Sequence, residues 1–237
     1  MPDELKVMSA RAVKSAVSAV AQGFSEHAGC RVAFDFAPVG ALEKKIVDGE
    51  RADVVILSDA AIGKLDAAGH IDSGSRCVLG RTSIGVCVSE GAARPDIATP
   101  EAFRALLLSS PKISVSDVAV GGTAAVYLPK LFARMGIADE LEPKLVRCAG
   151  GGDVAERVAR GEAAIGITFI SEILAIGGVT VIGALPAVYG NDTTYCGAVM
   201  KSAAMAEDAR AFLKALVKPE SALIWRRAGF DAGLSRA

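Results

Sequence analysis

What the chain lacks narrows its function first. Charge of one sign is not in excess: a formal net charge of −1 makes no electrostatic case for nucleic acid or an anionic membrane surface. No apolar run approaches the ~18–20 residues that a membrane span requires, so direct membrane insertion is not expected. The opening, MPDELKVMSARAVKSAV, has no basic n-region, apolar h-region or small-residue cleavage site of a secretory leader. No CxxC occurs among Cys30, Cys77, Cys87, Cys148 and Cys196, an odd number at scattered spacings, so neither a zinc site nor a redox motif is indicated. Uncommitted thiols fit a reducing compartment. With the missing leader they set the expectation of a cytoplasmic protein, or a periplasmic one if a leader has been removed. Histidine is nearly absent: His27 near a helix end and His70 in an Ala-Gly-His-Ile turn read as surface residues. There is no nucleophile elbow and no metal-spaced His/Cys/Glu cluster, so no metal and no cofactor is expected.

What is present is an ordinary α/β composition. The 237 residues are 51% hydrophobic, with aromatics at 5%. One phrase occurs twice: IVDGERADVVILSD at 46–59 and VARGEAAIGITFISE at 158–172. Each copy holds a helix tail, a Gly-Glu turn, an apolar β run and a Ser-acid pair, which points to two lobes on related plans. Leu5–Ser9, Arg31–Ala37 and Asp53–Leu57 read as strands, and 12–26 and 41–48 as helices, with Val13, Val17, Val20 and Phe24 on one apolar face. DVVIL is the continuous apolar run of a parallel strand covered on both faces. Cys77–Val88 holds two β-like pieces around Gly80-Arg81-Thr82, a candidate crossing between lobes. Thr99 and Pro100 open a further helix as N-cap and first helical residue. Strands at Ile113–Val115, Leu145–Cys148, Ala163–Phe169, Val179–Ile182 and Tyr195–Met200 follow, with helices over 123–135, 153–160, 203–217 and 219–228. Alternation of this kind predicts doubly wound, mainly parallel sheets.

Ligands of such sheets sit beyond the carboxyl ends of the strands, near helix starts. The turns that qualify are Ser9-Ala10-Arg11, Pro38-Val39-Gly40, Ser58-Asp59, Gly121-Gly122-Thr123 and Gly150-Gly151-Gly152-Asp153. Glycine allows close approach of backbone amides, and helix starts carry partial positive charge, so convergent turns would receive an anion without a cofactor. Any single turn also has a purely structural reading, since every α/β protein needs Gly, Ser and Asp at these places. The run at 150–152 fits neither GxGxxG nor GxxxxGK[ST], which argues against nucleotide binding. Arg11 and Arg81 are the candidate cations, because a guanidinium pairs with a carboxylate bidentately.

These pieces, in this order, resemble the periplasmic substrate-binding fold, in the molybdate-binding-protein-like branch of ABC-transporter receptors. LKVMSARAVKSAV at 5–17, FAPVGALEKKIVDGERADVVILSDAAIGKL at 36–65, LGRTSIGVCVSEGAARPDIATPEAF at 79–103, VSDVAVGGTAAVYLPKLFARMGI at 115–137, VARGEAAIGITFISEI at 158–173 and ARAFLKALVKPESALIWRRAGF at 209–230 carry the resemblance. It implies a two-lobed α/β fold of type II, lobe 1 being 1–82 plus 194–237 and lobe 2 being 83–193, with a ligand cleft between them. The implied partners are a small anionic ligand and an ABC permease. The candidate ligand residues, from these turns and the resemblance together, are Ser9, Ala10, Arg11, Val39, Gly40, Ser58, Arg81, Gly122, Thr123, Ala124 and Phe169. The chain departs from molybdate receptors where they use hydroxyls: it has Ala12, Val39 and Phe169. Three lost hydroxyls leave few donors for a tetrahedral dianion, and the expected ligand is an organic carboxylate. The alternative is a cytoplasmic isomerase or decarboxylase of a small organic acid on the same fold. It would need a proton-transferring group, with Asp117, Tyr195 and Asp59 as first candidates, then Glu172 and Asp153, while Arg11, Arg81 and Thr123 hold the substrate. A ligand sensor reporting to another protein is the third reading.

Overall fold

The computed structural model describes residues 4–231, apart from the side chains of residues 27 and 28; the expectation for His27 therefore lies outside the described residues. The chain divides into two compact units, Met1–Arg81 with Thr193–Ala237, and Thr82–Asp192. In chain order the elements of unit 1 begin with β1 (Glu4–Ala10), a 3-10 turn (Arg11–Val13), α1 (Lys14–Ala28), β2 (Arg31–Ala37), α2 (Val39–Val47), β3 (Val54–Ser58) and α3 (Asp59–Ala67). Strand β4 (Cys77–Ser89) carries the chain into unit 2. There follow α4 (Pro100–Ser109), β5 (Ile113–Ser116), α5 (Thr123–Arg134), α6 (Ala138–Leu141), β6 (Leu145–Cys148), α7 (Gly151–Ala159), β7 (Ile165–Phe169), α8 (Ile170–Ile173) and β8 (Val179–Ala184). Strand β9 (Asp192–Val199) returns to unit 1, which closes with α9 (Ala206–Val217) and α10 (Ala222–Arg227).

In unit 1 the strands run β2-β1-β3-β9, the first three parallel and β9 antiparallel to β3. In unit 2 they run β6-β5-β7-β4, the first three parallel and β4 antiparallel to both β7 and β8. Every residue of β3 and of β7 is buried, as a parallel strand covered on both faces requires. Each fully buried Ile, Leu or Phe contributes about 1.5–3 kcal/mol by leaving water. In unit 1 Val13, Ala16, Val17 and Val20 of the first helical run face the core, and Phe24 meets Phe212 of α9 edge-on at 5.2 Å. Trp225 is buried and its indole N–H donates to the Leu216 carbonyl at 2.8 Å, so α10 locks onto the end of α9. All five cysteines carry free thiols. Burial pushes Cys77 and Cys87 up to about 11, so both pack as neutral, small apolar groups. Among the described residues no helix is long and apolar enough to cross a membrane.

Several boundaries differ from expectation, each for a local reason. The helix expected over 12–26 opens as a 3-10 turn at Arg11 and runs on to Ala28, where Gly29 closes it in the left-handed conformation at φ 66°. The helix expected at 41 starts at Val39, because the Pro38 carbonyl already accepts from Ala41 and Leu42. The glycine run expected before a helix at 153 is itself helical from Gly151. The two β pieces expected around Gly80 are one strand. Strand β3 begins one residue late because Asp53 does other work: its carboxylate accepts from the Lys6, Ala204 and Met205 amides at 2.9, 2.8 and 3.0 Å. Those bonds hold residues 204 and 205 outside α9, which was expected from 203 and starts at Ala206. The last expected helix opens as a 3-10 turn, Pro219–Ser221. The expected cap of α4 is present, with the Thr99 hydroxyl accepting from the Ala102 amide at 3.1 Å.

Candidate functional site

Parallel strands bring their ends together. In unit 1 the register pairs Ala10 with Ala37 and Ser9 with Ile56, so the segments after β1, β2 and β3 leave the sheet side by side. Those segments hold Arg11, Pro38-Val39-Gly40 and Ser58-Asp59. In unit 2 the register pairs Ser116 with Cys148 and Val115 with Ile167, so the segments beginning at Asp117, Ala149 and Ile170 share one edge in the same way.

These helix starts differ in what already occupies them. At α2 the N-cap is Pro38, which offers no side-chain bond, and the first turn carries no acid. The amides of Val39 and Gly40 have no intrahelical acceptor, as at every helix start. Arg11 is exposed in the neighbouring 3-10 turn, with buried Ala10 and Ala12 on either side. Ser9 is buried and its hydroxyl donates to the Ala10 carbonyl at 3.4 Å; Ser58 is buried at the end of β3. Helix α5 is like α2: Gly122 is its N-cap, no side chain caps it, and no acid lies in its first turn. Thr123 is half-buried there and Ala124 buried.

The other starts carry the protein's own carboxylates. Asp59 opens α3, accepts a hydrogen bond from the Cys196 thiol at 3.0 Å and pairs with Arg76. The thiol and then the guanidinium hold the Asp59 carboxyl below the usual carboxylate range. Burial, with Asp59 second, pushes Cys196 up to about 12. The carboxylate thus stays ionised and the thiol protonated. At α7, Asp153 in the first turn accepts from the Ala149 amide at 3.1 Å. Glu172, reaching across from α8, accepts from the Thr168 hydroxyl at 2.6 Å and lies where a side chain on Gly151 would have to go. The glycine run therefore serves close packing against an internal carboxylate, which makes it a poor receptor for a second anion.

The remaining expected residues are placed as follows. Arg81, the last residue of its unit's first segment, pairs with Asp231 at 3.2 Å and bridges to it through the backbone. Tyr195 is buried in the core, edge-on to Phe230 at 6.1 Å. Phe169 is buried at the end of β7. Asp117 is half-buried and uses one oxygen to accept from the Ala119 amide at 2.9 Å. His70 is half-buried and lines a surface hollow of about 220 Å³ with Arg51 and Lys201, well separated in the fold from the strand ends just described. Among the described residues no group of three or more His, Cys, Asp or Glu is placed to hold a metal. Sequence reasoning did not find Asp53, Arg76 or Thr168 as partners. Their contacts join residues far apart in the chain or types without a motif, although the matched Ser-acid pairs did single out Asp59 and Glu172.

Comparison with known proteins follows the same lines. The sequence profile of a family described as bacterial extracellular solute-binding protein matches residues 5–231. An aconitate isomerase from Pseudomonas sp is 32% identical over 236 residues, covering 97% of this chain and 87% of the relative. The molybdate-binding protein ModA of Escherichia coli K12 is 27% identical over 233 residues, covering 96% and 88%. Among solved structures, the periplasmic molybdate-binding protein of Azotobacter vinelandii superposes with a TM-score of 0.78 at 22% identity, covering 97% and 99%. The expectation of a cytoplasmic location finds no support in a family described as extracellular.

Proposed function

Because the chain belongs to the bacterial extracellular solute-binding protein family, we propose that it binds a small organic carboxylate in preference to molybdate and delivers it to an ABC-type permease. The observation that carries this reading is the character of the α2 start: open amides at Val39 and Gly40, no resident acid, and Arg11 in the adjoining turn. A carboxylate is satisfied by a few amides and a guanidinium fork. A tetrahedral oxyanion needs donors on every side, and the side chains of Ala12, Val39 and Phe169 bring none. In unit 2 the α5 start at Gly122, Thr123 and Ala124 offers the same open character. Ser9, Ala10, Ser58, Arg81 and Phe169 shape and support these strand ends. The name of the 32% identical relative denotes an organic carboxylate, which favours the same class.

Thermal melts with aconitate, citrate, sulfate and molybdate test the reading. A ligand at 100-fold excess over its Kd stabilises the folded state by about 2.7 kcal/mol. Aconitate or citrate is expected to raise the melting temperature, and Arg11→Ala to abolish most of that rise. Stabilisation by molybdate alone would overturn the assignment.

The same relative favours a second reading, isomerisation of a small organic acid. Asp117 is the candidate for proton transfer, since one of its oxygens is not engaged by the Ala119 amide. Asp59, held ionised by Cys196 and Arg76, is a weak base, and Tyr195 is buried in the aromatic core. Incubating one pure aconitate isomer with the protein and following it by proton NMR separates the readings. Unchanged spectra with a raised melting temperature mean binding alone; conversion lost in Asp117→Asn means catalysis.

A further inference from the structure

The hollow beside His70 holds positive charge that the fold leaves unanswered. Three segments of unit 1 meet there, at the edge where its parallel strands begin: the turn between α2 and β3, the turn after α3, and the end of β9. Backbone bonds fix them to one another. The Met200 amide donates to the Asp53 carbonyl and the Lys201 amide to the His70 carbonyl, each at 2.9 Å, and Ile71 bridges to Met200. The hollow between them, about 220 Å³, is lined by Arg51, His70, Lys201 and Ser202, with Gly49 and Gly69 at its two helix-end turns.

The acids nearby are already committed. Glu50, on the same rim, lies 4.0 Å from Lys45, and Asp72 pairs with Arg210 at 2.9 Å. Among the described residues the side chains of Arg51, His70 and Lys201 form no hydrogen bond and no ion pair. Nor do they cap the two helices that end here. The Lys44, Lys45 and Ile46 carbonyls accept from the Asp48, Glu50 and Gly49 amides, and the Lys64, Leu65 and Asp66 carbonyls from the Ala68, His70 and Gly69 amides. The last turns of α2 and α3 are thus closed by backbone alone. A helix end carries about half a negative charge. Two ends together oppose the full charges of Arg51 and Lys201 with about half their sum, so the hollow stays positive. Lys201 Nζ stands over the α3 turn, 3.7 Å from where a Cβ on Gly69 would be.

We infer that this hollow is a second anion site, separate from the α2 start, and that it takes a phosphate group, free or as a small monoester. Phosphate presents acceptor oxygens on every side, and the hollow offers donors from three segments. Arg51 brings a guanidinium fork, Lys201 an ammonium and Ser202 a hydroxyl. His70 adds a ring N–H in either protonation state. The hollow is smaller than the roughly 300–1,000 Å³ of ordinary ligand pockets, so it encloses a group of few atoms and leaves any organic remainder in solvent. The site rests on side-chain charge, where the α2 start rests on open amides, and it does not depend on the carboxylate reading.

Titration of the whole chain with inorganic phosphate at constant ionic strength, followed in proton–nitrogen correlation spectra, tests the site residue by residue. The Gly69, His70, Lys201 and Ser202 amides should shift and saturate. Arg51→Gln/Lys201→Gln changes two exposed side chains that hold nothing in the fold, and should weaken that response about tenfold or more with the melting temperature unchanged. Arg11→Ala should leave it intact, so loss of the carboxylate reading and loss of this one are told apart. Glycerol phosphate separates the two sources: tighter binding than inorganic phosphate assigns an ester, weaker binding the free ion. Shifts that rise linearly without saturating, shifts at Val39 and Gly40 with none at His70 and Lys201, or an unaltered response in the double variant each overturn the inference.

Discussion

Unit 1 and unit 2 are built on one strand plan from different stretches of chain, β2-β1-β3-β9 in one and β6-β5-β7-β4 in the other. Their correspondence extends to single backbone bonds: the Asp53 amide donates to the Lys6 carbonyl at 2.8 Å, and the Ala164 amide to the Lys112 carbonyl at 3.0 Å. The side chains then diverge. Asp53 gathers three amides where Ala164 gathers none. The Ser-acid pair after β3 sends Asp59 to Cys196 and Arg76, whereas the pair after β7 sends Glu172 to Thr168 and against Gly151. The α2 start is open, and its counterpart at α7 is filled by Asp153 and Glu172. The shared plan therefore supplies helix starts in matching places, and they differ in whether a resident carboxylate already occupies them.

The contrast breaks most severely at Asp53. Asp53→Ala orphans three backbone amides at once, and urea denaturation should show a loss of about 3 kcal/mol or more, with unit 1 opening first in hydrogen exchange. At the matching position unit 2 has no such carboxylate to lose. Next is Gly151→Ala, whose new methyl collides with the Glu172 carboxylate and the Thr168 hydroxyl. Overpacking of this kind costs about 1–3 kcal/mol. Shortening the obstacle in Gly151→Ala/Glu172→Ala should restore part of the loss, which a simple helix-start defect would not allow. A third change makes α2 resemble α3: Gly40→Asp puts an acid in the open first turn. Carboxylate binding measured by calorimetry should then weaken about tenfold or more, with little change in stability.

The smallest effect is a pH dependence. Because the folded-state Asp59 carboxyl titrates below its ordinary value of 3.8, the unfolded chain binds more protons there as pH falls. The stabilisation is therefore complete above the ordinary carboxylate range and is lost as pH drops through the lower, folded-state value. Asp59→Asn should flatten the acid limb of a melting-temperature profile and leave the neutral region nearly level. An unchanged acid limb would mean that the Cys196–Asp59–Arg76 contacts contribute nothing measurable.

Period and punctuation made most of the architecture legible. The β2 and β6 strands begin and end where the sequence predicts, because Gly and Pro bound them and their apolar runs are short. Boundaries slipped where a partner remote in sequence intervenes, as when Asp53 holds residues 204 and 205 out of α9. The clustering of strand ends was legible for a topological reason, since parallel strands must finish on one edge. Occupancy of those ends was not. Nothing local to Gly150–Gly152 announces that Glu172 lies against it, and nothing near Arg81 announces Asp231. Such pairings depend on which elements pack together, and that is decided by the whole chain.

The chain enters unit 2 inside β4 and leaves it at β9, so unit 1 is assembled from both ends of the polypeptide. During synthesis the middle stretch is complete, and free to fold as a contiguous body, while the first sheet still waits for its antiparallel neighbour and closing helices. Until the ribosome has delivered Ala204 and Met205, the Asp53 carboxylate lacks two of its three donors. The nascent chain thus carries an unfinished first sheet through most of translation, and termination before β9 leaves unit 1 incomplete even when unit 2 is whole.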